Sequence, residues 1–396
     1  MATSGSSPSQ ASDGPKFSAR DFEAGYASAS EKIGRFNLAI FGKTGVGKST
    51  LINAIFGESV AQTGVGAPVT QNSQLYLHRS GTLGIYDTRG VEIGVDNATI
   101  LTDVKRIVEG SRTLPIEQQI HAAWYCVRAS DSRFEETEAA FIAELTRLGL
   151  PVMLVLTQVG KKGQVFNPDH VQLWEHINGL QLPIFGSGAY PTNALVDPWT
   201  KSDVFGLTEL LDGTYAAAPE GVAAALDAAQ TLEYERKRKR AALQVSGAVS
   251  AAAAAGAIPI PFSDAAVLVP IQTSMMGGIA ITYGVRPDVS VAASLAATGV
   301  ASQAGRSAAA GLLKLIPGAG TLIGSTINAS VAGAFTYAMG MAWREVCERM
   351  ARGEFGDSGS LDNDAIKQVF LSEFKMWGLR RLRGQHVAKE PGQPNR

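Results

Sequence analysis

Short apolar segments and helical patterns alternate along roughly the first half of the chain. Apolar runs bounded by glycine, proline or polar residues are typical of buried strands. Such runs occupy residues 36–41, 83–86, 122–127, 152–156 and 182–185. Apolar residues at helical spacing lie between them, at 49–56, 98–108, 135–148 and 170–177. Because strands that alternate with helices usually pair in parallel, the pattern predicts an α/β domain, a mostly parallel sheet with helices on both faces.

Three further segments complete this region. Residues 17–33 carry apolar side chains at helical spacing among charges, which predicts a lead-in helix. Residues 74–78 are predicted to add one antiparallel strand to the sheet, and residues 205–215 to form the helix that closes the domain.

The pattern changes at about residue 233, where a charged helix is predicted over 233–240. Beyond it, no Asp, Glu, Lys or Arg occurs in 241–263, 265–285 or 315–343. Runs of this length can span a bilayer. Ala, Gly, Ser and Thr dominate them, however, whereas membrane insertion is driven by Leu, Ile, Phe and Val. The sequence is therefore compatible both with a compact helical bundle and with a membrane hairpin. An amphipathic helix is predicted at 365–377.

These changes in composition predict five parts along the chain. They are a disordered tail at 1–15, an α/β domain at 16–218, a charged linker helix at 219–240, an Ala/Gly-rich all-α domain at 241–380 and a basic disordered tail at 381–396. The first tail is polar and lacks the apolar stretch of a secretory signal.

Charge and cysteine usage narrow the class of protein. A formal net charge of −1 gives no support for nucleic-acid binding, which normally shows a basic excess, and we expect no nucleic-acid partner. Cys126 and Cys347 lie far apart without metal-ligand spacing, so we expect reduced thiols in a cytoplasmic protein. The basic run at 236–240 is typical of a solvated helix face. The same run is also compatible with contact to anionic lipid, and therefore with membrane association.

One motif between the first strand and the following helix carries a specific chemistry. Residues 42–49 read GKTGVGKS and match the G-x-x-x-x-G-K-[ST] pattern of a phosphate-binding loop. Glycines let successive backbone N–H groups approach phosphate oxygens closely. The helix that follows adds its positive N-terminal end. The sequence therefore predicts a nucleotide site at this loop.

The residues of this loop have separate expected roles. Lys48 is expected to neutralise the β- and γ-phosphates and to act in catalysis, and the Ser49 hydroxyl is expected to ligate Mg²⁺. The nucleotide-binding residues predicted here are Gly42, Lys43, Thr44, Gly45, Val46, Gly47, Lys48, Ser49 and Thr50.

A second motif, DTRG at 87–90, follows the predicted strand at 83–86. Asp87 is expected to hold Mg²⁺ through water, and the N–H of Gly90 to contact the γ-phosphate during catalysis. Between the two motifs, a glycine-rich loop ends in Thr70, our candidate for a catalytic threonine that ligates Mg²⁺. Thr63 is the competing candidate.

These motifs, in this order and spacing, resemble the Era-like branch of the translation-factor-related GTPases. The strand IHAAWYCV at 120–127 is similar to that of one Era-like subgroup, which carries a C-terminal domain of unknown function. The segment PIPFSDAA at 259–266 resembles the signature of that domain, and LIPGAG at 315–320 repeats it. The resemblance covers about residues 16–345. It implies a P-loop GTPase domain that binds GTP and GDP with Mg²⁺, followed by a helical domain often suspected of contacting membranes.

The guanine-reading motif of this family departs from its pattern here. Where the family has [NT]-K-x-D, this chain has Thr157-Gln158-Val159-Gly160, without the carboxylate that would accept hydrogen bonds from guanine N1 and N2. Gln158 can still pack along the base, and Lys161 could stack on it. The last base-contacting motif is matched best by Asn193 and Ala194. We therefore expect Thr157, Gln158, Asn193 and Ala194 to bind the nucleotide with weakened selectivity for guanine.

A second departure concerns hydrolysis. Val91 occupies the position after the DTRG motif where many GTPases place a glutamine that orients the attacking water. Valine cannot hydrogen-bond that water, so we expect slow GTP hydrolysis unless another group supplies this function. Arg89 and Glu92 are nearby polar candidates for that group.

Three hypotheses about function follow from these motifs. The first is a GTPase switch whose helical domain reports the nucleotide state to a membrane surface or a protein effector. The second is a nucleotide sensor that does not hydrolyse GTP. The third is a membrane-remodelling or assembly GTPase that forms a nucleotide-dependent homodimer.

Overall fold

The protein divides into two compact units, each described separately below. The structure is a computed structural model that describes residues 18–57, 67–68, 73–78, 80–88, 97–196, 201–256, 264–288, 291–292, 295, 325–356 and 361–387. The sheet unit comprises the described residues of Ser30–Lys237. The helical unit comprises the described residues of Met1–Ala29 and Arg238–Arg396.

The sheet unit is built on a twisted, mostly parallel sheet. Its strands are β1 (Phe36–Phe41), β2 (Ala67–Pro68), β3 (Ser73–Leu77), β4 (Leu83–Thr88), β5 (Ala122–Arg128), β6 (Val152–Thr157) and β9 (Tyr190–Pro191), and β7 (Lys161–Lys162) with β8 (Val165–Phe166) forms a separate hairpin. In the described residues, the sheet order is β2-β3-β4-β1-β5-β6-β9. Strands β1, β4, β5, β6 and β9 pair in parallel, whereas β3 runs antiparallel to β4. This arrangement confirms the predicted fold class.

Helices cover both faces of this sheet. Those of the sheet unit are α2 (Lys48–Phe56), α3 (Asn97–Ser111), α4 (Glu136–Arg147), α5 (Pro168–Gly179), α6 (Leu207–Ala217) and α7 (Ala223–Ala229). On one face, the Trp124 ring stacks on Phe56 at 5.9 Å, and its indole N–H donates to Thr214 Oγ1 at 3.1 Å. On the opposite face, Phe141 packs against Phe41 at 5.4 Å and Tyr125 at 5.8 Å. Strands buried on both faces explain why the sequence shows continuous apolar runs instead of alternation.

One predicted strand is wrong. Residues 182–185 form no strand, and the edge strand that pairs with β6 is β9, five residues further along the chain. Pro183 cannot donate a backbone hydrogen bond, and Gly186 has a positive φ of 102° that breaks an extended conformation. The segment therefore makes a single ladder-like bond, from the Phe185 N–H to the Val152 carbonyl at 2.7 Å. The β7–β8 hairpin was not predicted.

The helical unit contains long helices. They are α1 (Ala19–Ile33), α8 (Tyr234–Gly256), α9 (Asp264–Thr282), α10 (Ser325–Ala351) and α11 (Asn363–Val387), of which α1 and α8 each extend into the sheet unit. The core centres on Trp343, whose ring meets Phe22 edge-on at 6.1 Å and whose N–H donates to the Met276 carbonyl at 2.8 Å. Aromatic pairs also join α10 to α11, Phe335 with Phe374 at 5.3 Å being one. Of the signature at 259–266 only residues 264–266 are described, at the start of α9, and the repeat at 315–320 lies outside the described residues.

Several polar groups inside the helical unit are paired, whereas Gln244 Oε1 and Arg344 Nε are buried without a hydrogen-bond partner among the described residues. The Gln272 amide donates to Thr336 Oγ1 at 3.1 Å, and both side chains are buried. Glu348 is also buried, and it accepts hydrogen bonds from Arg352 at 2.9 Å and Tyr283 at 3.2 Å. Among the described helices, none combines the length and the hydropathy that a membrane span requires.

Two glycines allow helices α1 and α9 to approach closely. A Cβ added to Gly277 would lie 2.6 Å from the Tyr26 Cα, and one added to Gly25 would lie 2.6 Å from the Thr273 carbonyl carbon. Both obstacles are backbone atoms, so neither can move aside as a flexible side chain can. Gly247 is a matched contrast within α8, because an added Cβ there meets no atom within 4 Å.

Replacing Gly277 by alanine should destabilise the helical unit, because the new methyl group forces two helix backbones apart. We expect a loss of about 1–3 kcal/mol for this overpacking. Gly247→Ala should instead be neutral or stabilising by up to about 1 kcal/mol, since alanine has the higher helix propensity. Urea unfolding of the full chain, followed by circular dichroism at the helix signal, measures both. An unchanged or raised midpoint for Gly277→Ala would contradict the close approach.

Candidate functional site

The predicted motifs meet at one edge of the sheet. Strands β1, β4 and β6 run parallel, so their carboxyl ends lie on the same side, where ligands of open α/β sheets bind. The loop at 42–47 follows β1, Asp87 lies near the end of β4 and the segment 157–160 follows β6. In the strand register Asp87 lies opposite Ile40, two residues before the loop begins.

The loop at 42–47 adopts a conformation that only glycine permits at its critical points. Gly42 has a φ of 130°, and an added Cβ there would lie 2.3 Å from the Cys126 carbonyl oxygen of the neighbouring strand. Gly47 has a φ of 97° and is the N-cap of helix α2, which begins at Lys48. The loop thus leads directly into the positive end of a helix, as binding of a phosphate requires.

Lys48 is held in place by the loop itself. Its ammonium donates to the carbonyls of Gly42 at 2.8 Å and Lys43 at 3.1 Å. An ammonium has three N–H donors, so one remains for an anionic ligand. Ser49 lies beside it on the first turn of α2, with its side chain exposed.

Lys43 has a different role from Lys48. Its ammonium bridges Glu135 at 3.0 Å and the buried Glu138 at 3.6 Å, both near the start of helix α4. Burial alone would lower the pKa of Lys43, but the two carboxylates raise it above its usual value. The side chain therefore anchors the loop to α4, and its contribution to binding a phosphate comes through the backbone.

Asp87 carries an unsatisfied acceptor. Its Oδ1 atom is buried and has no hydrogen-bond partner among the described residues. Burial raises the pKa of Asp87, and the nearby Lys48 charge opposes that shift. A buried carboxylate oxygen without a partner is costly, and oxygen atoms of this kind are the ligands that Mg²⁺ prefers. The residue therefore fits the predicted metal role.

Other predicted site residues cannot be placed. Thr70, its competitor Thr63, and Gly90 lie outside the described residues, as do Arg89, Val91 and Glu92. Their roles remain predictions from the sequence.

A cavity of about 500 Å³ lies beside the loop. Its walls include Gly47 and Thr50 of the phosphate-loop region, the segments 157–160 and 192–196, His170 of α5 and Asn167, which caps that helix. The structure thus brings together the residues expected to contact a base: Thr157, Gln158, Asn193 and Ala194.

Different contacts hold the predicted base-contacting residues in place. The Thr157 hydroxyl lies 2.5 Å from the Val46 carbonyl and 3.2 Å from the Val127 carbonyl, so it ties the phosphate loop to the sheet. Gln158 has a φ of 54°, in the left-handed region, and its amide nitrogen packs over Gly47.

Asn193 shapes the opposite wall of the cavity. Its amide nitrogen donates to the carbonyls of Leu195 at 2.8 Å and Asp203 at 2.9 Å, which closes the loop around residue 195. The side chain of Leu195, 66% exposed, lies at the rim of the cavity. Asn193 therefore acts first as the support of this loop.

Sequence reasoning missed His170. Its Nδ1 accepts a hydrogen bond from the Gly160 N–H at 2.9 Å, which places the imidazole in the cavity wall. The available signal was the helix start at 167–168, where Asn167 caps α5 and proline follows. Nothing in that signal shows that the helix returns over Gly160. Lys161, proposed as a stack on the base, instead holds its ammonium 5.0 Å from the Phe166 ring centre.

Comparison with known proteins locates the same region. Residues 37–158 match a family model described as 50S ribosome-binding GTPase. Magnetosome membrane protein 22 of Magnetospirillum gryphiswaldense is 35% identical over 123 residues, which are 30% of this chain and 60% of that protein. The chain therefore spans less than two thirds of the length of this curated relative.

Several solved structures are similar at low identity. An Era variant from Aquifex aeolicus bound to GDP and aluminium fluoride matches 58% of this chain and 70% of its own, with 18% identity and a TM-score of 0.33. Era with MgGDPNP and a 16S ribosomal RNA fragment matches 48% and 58%, with 18% identity and a TM-score of 0.32. The elongation factor SelB from Methanococcus maripaludis matches 47% and 34%, with 15% identity and a TM-score of 0.29. At these scores the structures carry no argument about this chain.

Removing the Thr157 hydroxyl should weaken nucleotide binding. Thr157→Val keeps the side-chain shape but leaves a buried carbonyl of the loop unpaired, at a cost of about 1–3 kcal/mol. We expect roughly tenfold weaker GDP binding by calorimetry, together with a lower melting temperature. The exposed Thr113→Val is the matched control and should change neither value. Wild-type affinity in Thr157→Val would show that the hydroxyl does not support the loop.

Proposed function

We propose that this chain, whose residues 37–158 match the 50S ribosome-binding GTPase family model, is a Mg²⁺-dependent switch that hydrolyses GTP slowly. The match to this family model supports GTP and GDP binding and GTPase activity in general, in line with the Era-like resemblance of the sequence motifs. The slow rate, and the coupling of the nucleotide state to the helical unit, are the finer parts of the proposal.

The observation that carries the proposal is the phosphate loop with its lysine. Gly42 and Gly47 give the loop a backbone that other residues cannot adopt, and Lys48 is bonded across it at 2.8 Å and 3.1 Å. The arrangement leaves one ammonium donor and the start of helix α2 for the β- and γ-phosphates. These groups stabilise the negative charge of a transferring phosphoryl group, which is the main requirement of this chemistry.

Mg²⁺ would be held by Asp87 and Ser49 in this scheme, with Thr70 as a further ligand. The unpaired Oδ1 of Asp87 supports the first of these roles. These residues would hold the ion where its positive charge would offset the negative charge that develops during phosphoryl transfer. Ser49 follows Lys48 directly on α2, so its hydroxyl would lie near the phosphates that the Lys48 ammonium contacts.

Slow hydrolysis follows from the residue after the DTRG motif. Val91 cannot orient a water molecule, and the Gly90 N–H would then contact the γ-phosphate without an efficient nucleophile beside it. The alternative is a sensor that binds GTP and does not hydrolyse it. The two differ only in whether turnover can be measured, so a kinetic assay separates them.

Purified alone, the protein should hydrolyse GTP at or below about 10⁻⁴ s⁻¹, the intrinsic rate of Ras-like switches. Lys48→Ala should abolish both turnover and GTP binding, because it removes the fixed positive charge at the phosphates. Phosphate release under single-turnover conditions, with a fluorescent nucleotide for binding, measures both effects. The surface variant Lys105→Ala is the matched control.

Two outcomes would contradict this scheme. Unchanged GTP affinity in folded Lys48→Ala protein would remove the phosphate loop from the function. Turnover near 1 s⁻¹ by the isolated protein would show that another group positions the water and that hydrolysis is not slow.

We further propose that the helical unit engages a membrane surface peripherally. Near the end of helix α11, Leu379 is 52% exposed and the Arg380 guanidinium lies 5.2 Å from the Trp377 ring centre. Leu, Trp and basic side chains are among those that helices lying in the headgroup region present to lipid. The name of the relative in Magnetospirillum gryphiswaldense is consistent with this role. A protein effector is the alternative partner, and the prediction that nucleic acid is not a partner rests on the net charge of −1.

The full-length protein should float with vesicles containing phosphatidylserine and not with neutral vesicles. High salt should reduce the flotation, because each basic side chain near an anionic surface contributes about 1 kcal/mol that ions screen. Leu379→Asp should also reduce it, whereas Leu114→Asp, at an exposed leucine of the sheet unit, should not. Equal flotation of the Leu379 variant, or none by the wild type with either GDP or a GTP analogue, would rule out this contact.

A further inference from the structure

The cavity beside the phosphate loop presents an imidazole where a carboxylate is expected. Gly160 occupies the position of the aspartate that would accept hydrogen bonds from guanine N1 and N2, and it contributes only backbone. The His170 ring lies beside it, because a Cβ added to Gly160 would be 3.6 Å from the His170 Cε1 atom. This inference rests on the proposed function, since it concerns the base of the bound nucleotide.

The hydrogen bond from Gly160 fixes the tautomer of His170. Nδ1 accepts the backbone N–H at 2.9 Å, so it cannot carry a proton itself. The neutral ring then carries its proton on Nε2. Desolvation lowers the pKa of His170, and the neighbouring Asp169 opposes that shift, so the neutral form is favoured. Nε2–H makes no hydrogen bond to any described residue, and it is therefore a donor available at the cavity wall.

A short loop holds the ring in this position. The Gly160 carbonyl accepts the Asn167 N–H at 2.9 Å, which closes the β7–β8 hairpin back onto the segment after β6. Asn167 then caps helix α5 by accepting the Asp169 N–H at 3.0 Å. His170 follows on the first turn of that helix. Gly160 is thus bonded through both its N–H and its carbonyl, and the imidazole cannot swing away without breaking one of these bonds.

Two other polar side chains of the cavity wall are engaged by backbone groups. The Ser202 hydroxyl bonds to both the N–H and the carbonyl of Lys161 at 3.0 Å. The Asn193 amide nitrogen is committed to backbone carbonyls of its own loop. Among the described residues that line the cavity, none carries a carboxylate. The carboxylate that would accept both hydrogens of guanine is therefore not found in the described part of this wall.

We propose that His170 is the residue that selects the base, by donating its Nε2–H to an acceptor on the edge of the purine that faces Gly160. Between its O6 and N3 atoms guanine offers only donors, N1–H and the 2-amino group, and these leave the His170 proton unpaired. Xanthine offers a carbonyl oxygen at position 2 instead. Hypoxanthine lacks the 2-amino group, so it should bind as well as guanine does. The site is a purine-nucleotide site that tolerates guanine without recognising its 2-amino group.

The expected affinities follow from the hydrogen bonds gained or lost. GDP and IDP should bind within about threefold of each other, because the 2-amino group contacts no acceptor. XDP should bind about 3- to 10-fold more tightly than GDP, the value of one additional neutral hydrogen bond. Calorimetric titration of the full-length protein with the three Mg²⁺-diphosphates measures these ratios without hydrolysis.

Two variants of His170 test its role. His170→Phe keeps a ring beside Gly160 but has no donor, and His170→Ala removes the ring. Both should reduce the XDP:GDP ratio to about one while GDP binding is retained, which also reports that the protein is folded. The exposed neighbour Asp169→Ala is the control and should preserve the wild-type order of the three bases.

A third variant should restore the missing carboxylate. Gly160 lacks a left-handed φ, and an added Cβ would meet no atom closer than 3.5 Å, so a side chain fits there. Gly160→Asp should raise the GDP:IDP ratio at least about tenfold, because hydrogen bonds to a charged group are stronger than neutral ones.

The outcomes separate this inference from the proposed function. A wild-type preference for GDP over IDP and XDP of a hundredfold or more would overturn it. If Asp197→Asn then abolished that preference, base reading would belong to this residue, which lies outside the described part of the chain. An unchanged order of bases in both His170 variants would equally overturn it. Failure of the wild type to bind any of the three diphosphates would instead overturn the nucleotide-binding function itself.

Discussion

The site depends on the contact between the first turn of the phosphate loop and the backbone of strand β5. At Gly42 the chain passes so close to the Cys126 carbonyl that a Cβ would lie 2.3 Å from it. The Thr157 hydroxyl holds the loop from the other side, at the Val46 carbonyl. The loop is therefore clamped between two neighbouring parallel strands. That rigidity keeps Lys48 and the backbone N–H groups aimed at one point, and such preorganisation is what binding of a phosphate requires.

The charged groups at this edge of the sheet are only partly paired within the protein, which leaves them able to interact with a charged ligand. Lys43 is neutralised by carboxylates of α4, so the loop does not carry two uncompensated ammonium groups side by side. Lys48 is satisfied in part by carbonyls, and the Oδ1 atom of Asp87 has no partner among the described residues. In the proposed function, a Mg²⁺-phosphate group would supply the opposite charges to both. Burying a carboxylate oxygen without a partner costs free energy, and a carboxylate with a purely structural role would be hydrogen-bonded. The unpaired oxygen is therefore consistent with a role in ligand binding.

The groups placed to contact the base differ in kind from those placed to contact the phosphates. In the proposed site, phosphates would be contacted mainly by backbone groups that the sheet positions, whereas the base would be contacted by side chains on loops. The β7–β8 hairpin brings His170 back over Gly160 through local hydrogen bonds. Base preference can therefore change without disturbing the phosphate loop. A switch of this kind can keep its affinity for a nucleotide while its discrimination between purines varies.

The sequence alone determined the parallel α/β domain and the phosphate loop, because both are encoded locally. Continuous apolar runs specify strands buried on two faces, and the glycines and Lys48 mark a backbone shape that few other sequences adopt. The strand at 182–185 was misplaced because Pro183 and Gly186 interrupt an apolar run that otherwise suits a strand. Only the tertiary structure revealed His170 in the base cavity. Its position depends on a hairpin and a helix start that fold back across ten residues, and the spacing of apolar residues carries no information about such a return.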